Sequence, residues 1–158
     1  MLTKESFSAL VSQGPCLLGN PEVLVELQRG YAEAGSQIIY APTFQAQPIA
    51  LKKIGLEHHT EAINAQLIAL SRSAAPGCLI AGDIATLAAF CDSWDPDNFD
   101  LLVENYRRQI RGLIDGGADL LVGETLLYPQ EAEAILTAAE LEGAQTTMIS
   151  FSMQSGGF

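Results

Sequence analysis

Four polar residues stand where short apolar runs give way to loops, and their types allow ligand binding or proton chemistry. Glu124 follows Leu120-Leu121-Val122-Gly123. A carboxylate at the exit of a strand can hold a cationic group, or it can cap the next helix. Asp83 follows Gly82 at the end of Cys78-Leu79-Ile80-Ala81, where it can face a ligand or accept from local backbone amides. Thr43 closes Ile38-Ile39-Tyr40-Ala41-Pro42, so its hydroxyl can meet a ligand while the neighbouring Phe44 fills apolar space. Thr125, beside Glu124, can assist through its hydroxyl or shape the turn.

Other candidate groups carry weaker chemistry. His58-His59 is a tempting metal pair, yet adjacent residues at a helix start diverge and no acid or thiol lies at ligand spacing, so a solvated segment is the reading. The acid-rich residues 92–100 lack the Gly and terminal Glu of a calcium loop and instead suit the cap of the following helix. Ser155-Gly156-Gly157 has neither a basic neighbour nor a helix after it, and reads as a loop rather than a phosphate cradle. Cys16, Cys78 and Cys91 are odd in number and unpaired in spacing, which argues for reduced thiols.

Helices and strands must alternate to place these residues. Asn20-Pro21-Glu22 is a helix start, Val23, Leu27, Tyr31 and Ala34 recur at helical spacing, and Gly35 ends the run. Further helices are expected around Ala62, Ile63, Leu67 and Leu70, around Leu102, Tyr106, Ile110 and Leu113 before Gly116-Gly117, and from Pro129 to Gly143. The apolar runs at Cys16-Leu17-Leu18, Ile38-Ile39-Tyr40, Cys78-Leu79-Ile80-Ala81, Leu120-Leu121-Val122 and Met148-Ile149-Ser150-Phe151 read as five strands. They are continuous rather than alternating, as in parallel sheets covered on both faces. The segment from Ala34 through Phe44 also lines up with that from Gly116 through Leu126, each a helix stop, a strand and a polar strand end.

Repetition of such units suits a TIM (β/α)8-type barrel, or equally a doubly wound open sheet. One α/β domain over residues 1–158 is expected. About five strands and four helices make only an incomplete barrel, since a whole one takes ~250 residues. A piece of a longer chain, or an assembly that supplies the remainder, is therefore expected. The net charge of −11, from 19 acids against 8 bases, disfavours a nucleic-acid partner, since such binding rests on clustered Lys and Arg. No basic leader precedes a long apolar run, so a cytoplasmic protein without a membrane span is expected.

Order and spacing of several short motifs resemble the homocysteine S-methyltransferase family. They are Pro21-Glu22-Val23 through Tyr31, then Ala34 through Ala46, Leu51 to Gly55-Leu56, Ile63-Asn64, Gly82-Asp83-Ile84, Tyr106 with Gln109, and Gly123-Glu124-Thr125. Within that family the similarity leans toward the barrel module of cobalamin-dependent methionine synthase. The resemblance implies a barrel that transfers a methyl group to the thiol of homocysteine, with zinc stabilising the thiolate. It leaves methylcobalamin, betaine and S-methylmethionine open as methyl donors, and implies a corrinoid protein or domain as a candidate partner. It also implies that Glu124 binds the homocysteine ammonium, with Thr125, Asp83, Thr43 and Gly19 as further substrate-binding candidates.

Two features depart from the family pattern. Leu17-Leu18-Gly19-Asn20 runs straight into the helix at Pro21, so Gly19 matches a family glycine whereas the family's neighbouring acid and long loop are absent. None of the three cysteines matches the family's zinc thiolates, so no metal ligand is assigned and the chain as given is expected to be inactive by itself. Two alternatives stay open: a corrinoid-linked methyltransferase for another small substrate, and a non-catalytic half-barrel that forms a homo-oligomer or pairs with a missing half.

Overall fold

The computed structural model describes residues 19–88 and 98–153. The expected strand at Cys16-Leu17-Leu18, the residues Cys16 and Cys91, most of the acid-rich stretch and Ser155-Gly156-Gly157 lie outside the described residues. The remainder runs as helix α1 (Pro21–Glu33), strand β1 (Ile38–Tyr40), helix α2 (Pro48–Lys52), a 3-10 turn (Glu57–His59), helix α3 (Thr60–Ala74), strand β2 (Leu79–Ala85), helix α4 (Phe99–Asp115), strand β3 (Leu120–Leu126), helix α5 (Pro129–Glu142) and strand β4 (Thr147–Phe151). All four expected helices form. The short α2 and the 3-10 turn were not anticipated, because each is too brief to show a helical period.

The four strands are parallel and lie in the order β1-β2-β3-β4. Sequential order in one direction distinguishes the two architectures that the strand pattern left open. A doubly wound sheet reverses its order at a switch point, whereas a (β/α)8 barrel adds each strand beside the last. The described residues form part of a TIM-type barrel.

Alternation along the strands separates two faces. Ile39, Ile80, Ile84 and Leu121 pack with Ile68, Leu102, Tyr106, Ile110, Leu113 and Ile135 in the main core between sheet and helices. Each such fully buried Leu or Ile contributes about 1.5–3 kcal/mol. Gly82 and Gly123 share that face: a Cβ on Gly82 would lie 2.8 Å from a methyl of Leu113, and one on Gly123 would lie 2.8 Å from Ile149. The opposite face carries Ala81, Leu120 and Val122 as a separate small cluster, and the same parity puts Asp83 and Glu124 there.

Helix ends repeat one device. The N–H of Ser36 bonds to the carbonyl of Tyr31 at 3.1 Å, that of Ala118 to Leu113 at 3.0 Å and that of Ala144 to Ala139 at 2.9 Å. Each bond spans a glycine with positive φ, Gly35 at 99°, Gly117 at 86° and Gly143 at 77°, which is the Schellman stop. The internal similarity seen in sequence is thus a shared turn geometry. At the other ends one expected cap is missing and one is present: Asn20 makes no side-chain cap bond to α1, whereas Asn98, within residues 92–100, accepts from the N–H of Leu101 at the start of α4.

Candidate ligand-binding site at the strand ends

Asp83 and Glu124 come together at the C-terminal ends of adjacent strands. Asp83 pairs in register with Val122, and Ala85, two residues on, with Glu124. Both acids therefore project from the face that the helices do not cover, one pleat apart. Tyr40, at the end of β1, joins them: burial, then the charges of Glu124 and Asp83, push its phenol above the ordinary tyrosine range. Tyr40 was not singled out from sequence, because a Tyr inside Ile38-Ile39-Tyr40 reads as strand packing until its face is known.

Asp83 has the least ordinary environment of the three. It is 7% exposed, and its Oδ1 finds no hydrogen-bond partner among the described residues. Burial foremost, with the neighbouring charge of Glu124 added, raises its carboxyl from 3.8 to about 8, and the Ile84 amide opposes the rise only in part. The group is therefore protonated at neutral pH and able to donate to an incoming ligand, or to lose its proton to one that brings positive charge. Asp83 thus meets one local amide, that of Ile84, while its Oδ1 stays without a partner among the described residues.

The other candidates are placed differently. Thr43 is fully buried. Its hydroxyl donates to the Asp83 carbonyl at 2.8 Å and accepts from the Asp83 N–H at 2.8 Å. It clamps the Asp83 backbone, a bond pattern that the sequence did not show. Gln109 adds to the clamp, its Nε2 donating to the carbonyls of Thr43 at 2.7 Å and Asp83 at 3.4 Å. Thr125 is exposed with φ of 55°. A β-branched residue in that region is strained by roughly 1–2 kcal/mol. It sits at an irregularity in the β3–β4 pairing, and its N–H bonds to the Ser150 hydroxyl at 3.1 Å. Gly19 is exposed in the turn before α1, on a segment separate from the acid pair.

The loop after β1 is pinned by side-chain amides from three helices. Gln28 on α1 donates to the Tyr40 carbonyl at 3.1 Å, and Asn64 on α3 donates to the Ala46 carbonyl at 2.7 Å. Asn105 on α4 accepts from the Ile49 N–H at 3.1 Å. Backbone groups that a strand ladder leaves unpaired are thereby satisfied, which holds the rim of the sheet rigid.

No metal centre is built from the described residues. No three His, Cys, Asp or Glu side chains converge there. Cys78 lies just before β2, at the opposite end from Asp83, with its Sγ donating to the Ser36 carbonyl at 3.1 Å. His58 and His59 are exposed on the 3-10 turn, His58 beside Glu57 at 3.7 Å. The described residues do not fit zinc. Among them, no helix is long and apolar enough to cross a membrane.

Comparison with known proteins gives a consistent family. The family model described as homocysteine S-methyltransferase matches residues 1–157. Among solved structures, the homocysteine methyltransferase MmuM from Escherichia coli in its oxidised form aligns with a TM-score of 0.78 and 26% identity, over 98% of this chain and 57% of that one. Its apo form aligns with a TM-score of 0.70 and 25% identity, over 88% of this chain and 52% of that one. The chain thus spans a little over half the length of the structures it matches.

Proposed function

The chain belongs to the homocysteine S-methyltransferase family, and from that premise we propose that it contributes the amino-acid-binding wall of an enzyme that methylates the thiol of homocysteine to give methionine. The observation that carries the proposal is the meeting of Asp83 and Glu124 on one sheet face at the strand ends, with one carboxyl oxygen buried and unpartnered among the described residues. Strand C-termini are where barrels hold their substrates. Glu124, half-buried beside Asp83, would pair with the substrate ammonium. Asp83 would accept a second hydrogen bond from it, and Tyr40 would close the side toward β1.

In the methylation itself a bond forms between the substrate sulfur and the methyl carbon while the bond from that carbon to its donor breaks. The sulfur reacts as thiolate, which is the nucleophilic form. Zinc would favour that form, with ligands outside the described residues. Methylcobalamin, carried by a corrinoid protein or domain, is the donor toward which the sequence leans, and a cytoplasmic location is part of the same reading.

Calorimetric titration of homocysteine into the full-length protein tests the binding wall. Glu124→Gln should weaken affinity by roughly 10- to 100-fold, the loss of one charge-assisted contact. Wild-type affinity in that variant would remove Glu124 from the site.

A further inference from the structure

Glu131 lies in the first turn of α5, on the same stripe as Ile135 and Ala138, and is wholly buried. A buried carboxylate is costly unless every lone pair meets a donor. Here it meets six contacts from five donor groups. The Thr86 hydroxyl lies 2.9 and 2.7 Å from its two oxygens. The Leu87 and Ala88 amides donate at 2.6 and 3.4 Å, the Tyr106 hydroxyl at 3.0 Å and the Leu127 amide at 3.4 Å. Burial, then the charge and hydrogen bond of Glu131, push the Tyr106 phenol well above the usual tyrosine range, so it remains a donor.

The donors come from separate places. Thr86, Leu87 and Ala88 directly follow β2, and stand three to five residues beyond Asp83. Leu127 directly follows β3, three residues beyond Glu124. Tyr106 belongs to α4, the helix between those strands. One carboxylate therefore ties together the exits of the two strands that carry the acid pair.

We propose that Glu131 is the positioning residue of this site: its carboxylate holds the segments after β2 and β3 so that Asp83 and Glu124 face a ligand in one fixed relation. Glu131 lies on the helix side of the sheet and acts through the chain segments alone. Its part in ligand binding rests on the reading of Asp83 and Glu124 given above.

The test uses Glu131→Gln in the full-length protein, which keeps the shape of the side chain but turns one acceptor into a donor facing donors. Amide hydrogen exchange should quicken at least about tenfold at Leu87 and Leu127, while the centre of α4 keeps its protection. The KM for homocysteine should rise about tenfold or more, because small misplacement of binding groups carries large penalties. Ile68→Ala, a core truncation beside Gly116 at the opposite end of the sheet, is the control for lost stability, and it should leave KM and those two amides unchanged. If Glu131→Gln does not fold, Tyr106→Phe and Thr86→Val each delete one donor and should shift the same readouts in the same direction to a smaller extent. Wild-type exchange at Leu87 and Leu127 would overturn the anchor, and quickened exchange with an unchanged KM would overturn its link to binding. Failure of the underlying reading shows separately, as normal homocysteine affinity in Glu124→Gln.

Discussion

At the scale of single residues, environment assigns each acid its work. Asp83, Glu124 and Glu131 are chemically similar, yet one is buried without a full set of partners, one is half open at the rim and one is enclosed by donors. Asp83 is the one that costs stability. Its folded carboxyl titrates near 8 against 3.8 for the ordinary group. The folded state therefore holds a proton that the unfolded state has released, and stability from this group falls as pH rises from about 4 to about 8. Asp83→Asn should remove that slope and stabilise the protein at pH 8, by about 1.4 kcal/mol for each unit that separates the folded from the unfolded value, while doing little at pH 4. Urea denaturation at the two pH values measures it, and an unchanged slope would show that Asp83 is ionised in the folded protein.

Elements are packed by where they lack side chains as much as by where they have them. On α4, a Cβ at Gly112 would stand 2.5 Å from the Glu61 carbonyl oxygen, and one at Gly116 would stand 2.7 Å from that of Ala65. These two glycines let α4 touch the backbone of α3, which brings Gln109 and Tyr106 to the sheet. Gly112→Ala should destabilise by roughly 1–3 kcal/mol, because backbone cannot yield as a side chain can. Gly30 in α1 provides the opposite case, since nothing lies within 4 Å of its added Cβ. Gly30→Ala should stabilise by about 0.5–1 kcal/mol through helix propensity. Thermal melting of the pair checks both, and shifts of the same sign would contradict the packing described for α3 and α4.

Across the whole molecule, excess negative charge is offset by a few well-placed cations. Arg108 pairs with Glu61, Arg72 with Asp119, and Arg107 and Arg111 share Glu142. The Arg108 hydrogen bond holds Glu61 below its usual range, and the Arg111 and Arg107 hydrogen bonds do the same for Glu142. For Asp119 burial acts upward, but the Ile80 amide and Arg72 outweigh it. A lowered folded value means stability present above the unfolded range, near pH 4, and lost as pH falls through the folded values. Stability should thus climb from pH 3 to about 5 and then decline toward 8 as Asp83 dominates. A pH series of denaturation midpoints checks this, and a curve without the acid limb would remove these ion pairs from the balance. The pairs are partly exposed, so raised salt should flatten that limb.

Strands, helices and the left-handed glycine stops were legible from local pattern because apolar spacing, Pro21, Pro129, Gly35 and Gly143 act over a few residues. Glu124 and Asp83 could be nominated for the same reason, as acids at the ends of apolar runs. Their meeting could not be read, since it depends on β2–β3 register and on strand order, which are set by distant pairing. The clamp that Thr43 makes on the Asp83 backbone was not legible either, because burial is a property of the packed sheet. Glu131 was passed over although an acid on the apolar stripe of α5 is a visible signal; its donors lie up to 45 residues away in the chain. Local sequence determined which groups exist and what elements bear them, while tertiary packing decided which carboxyl keeps its proton, which is enclosed and which lies half open at the rim. The physical reason is that desolvation and hydrogen bonding depend on neighbours in space rather than in sequence.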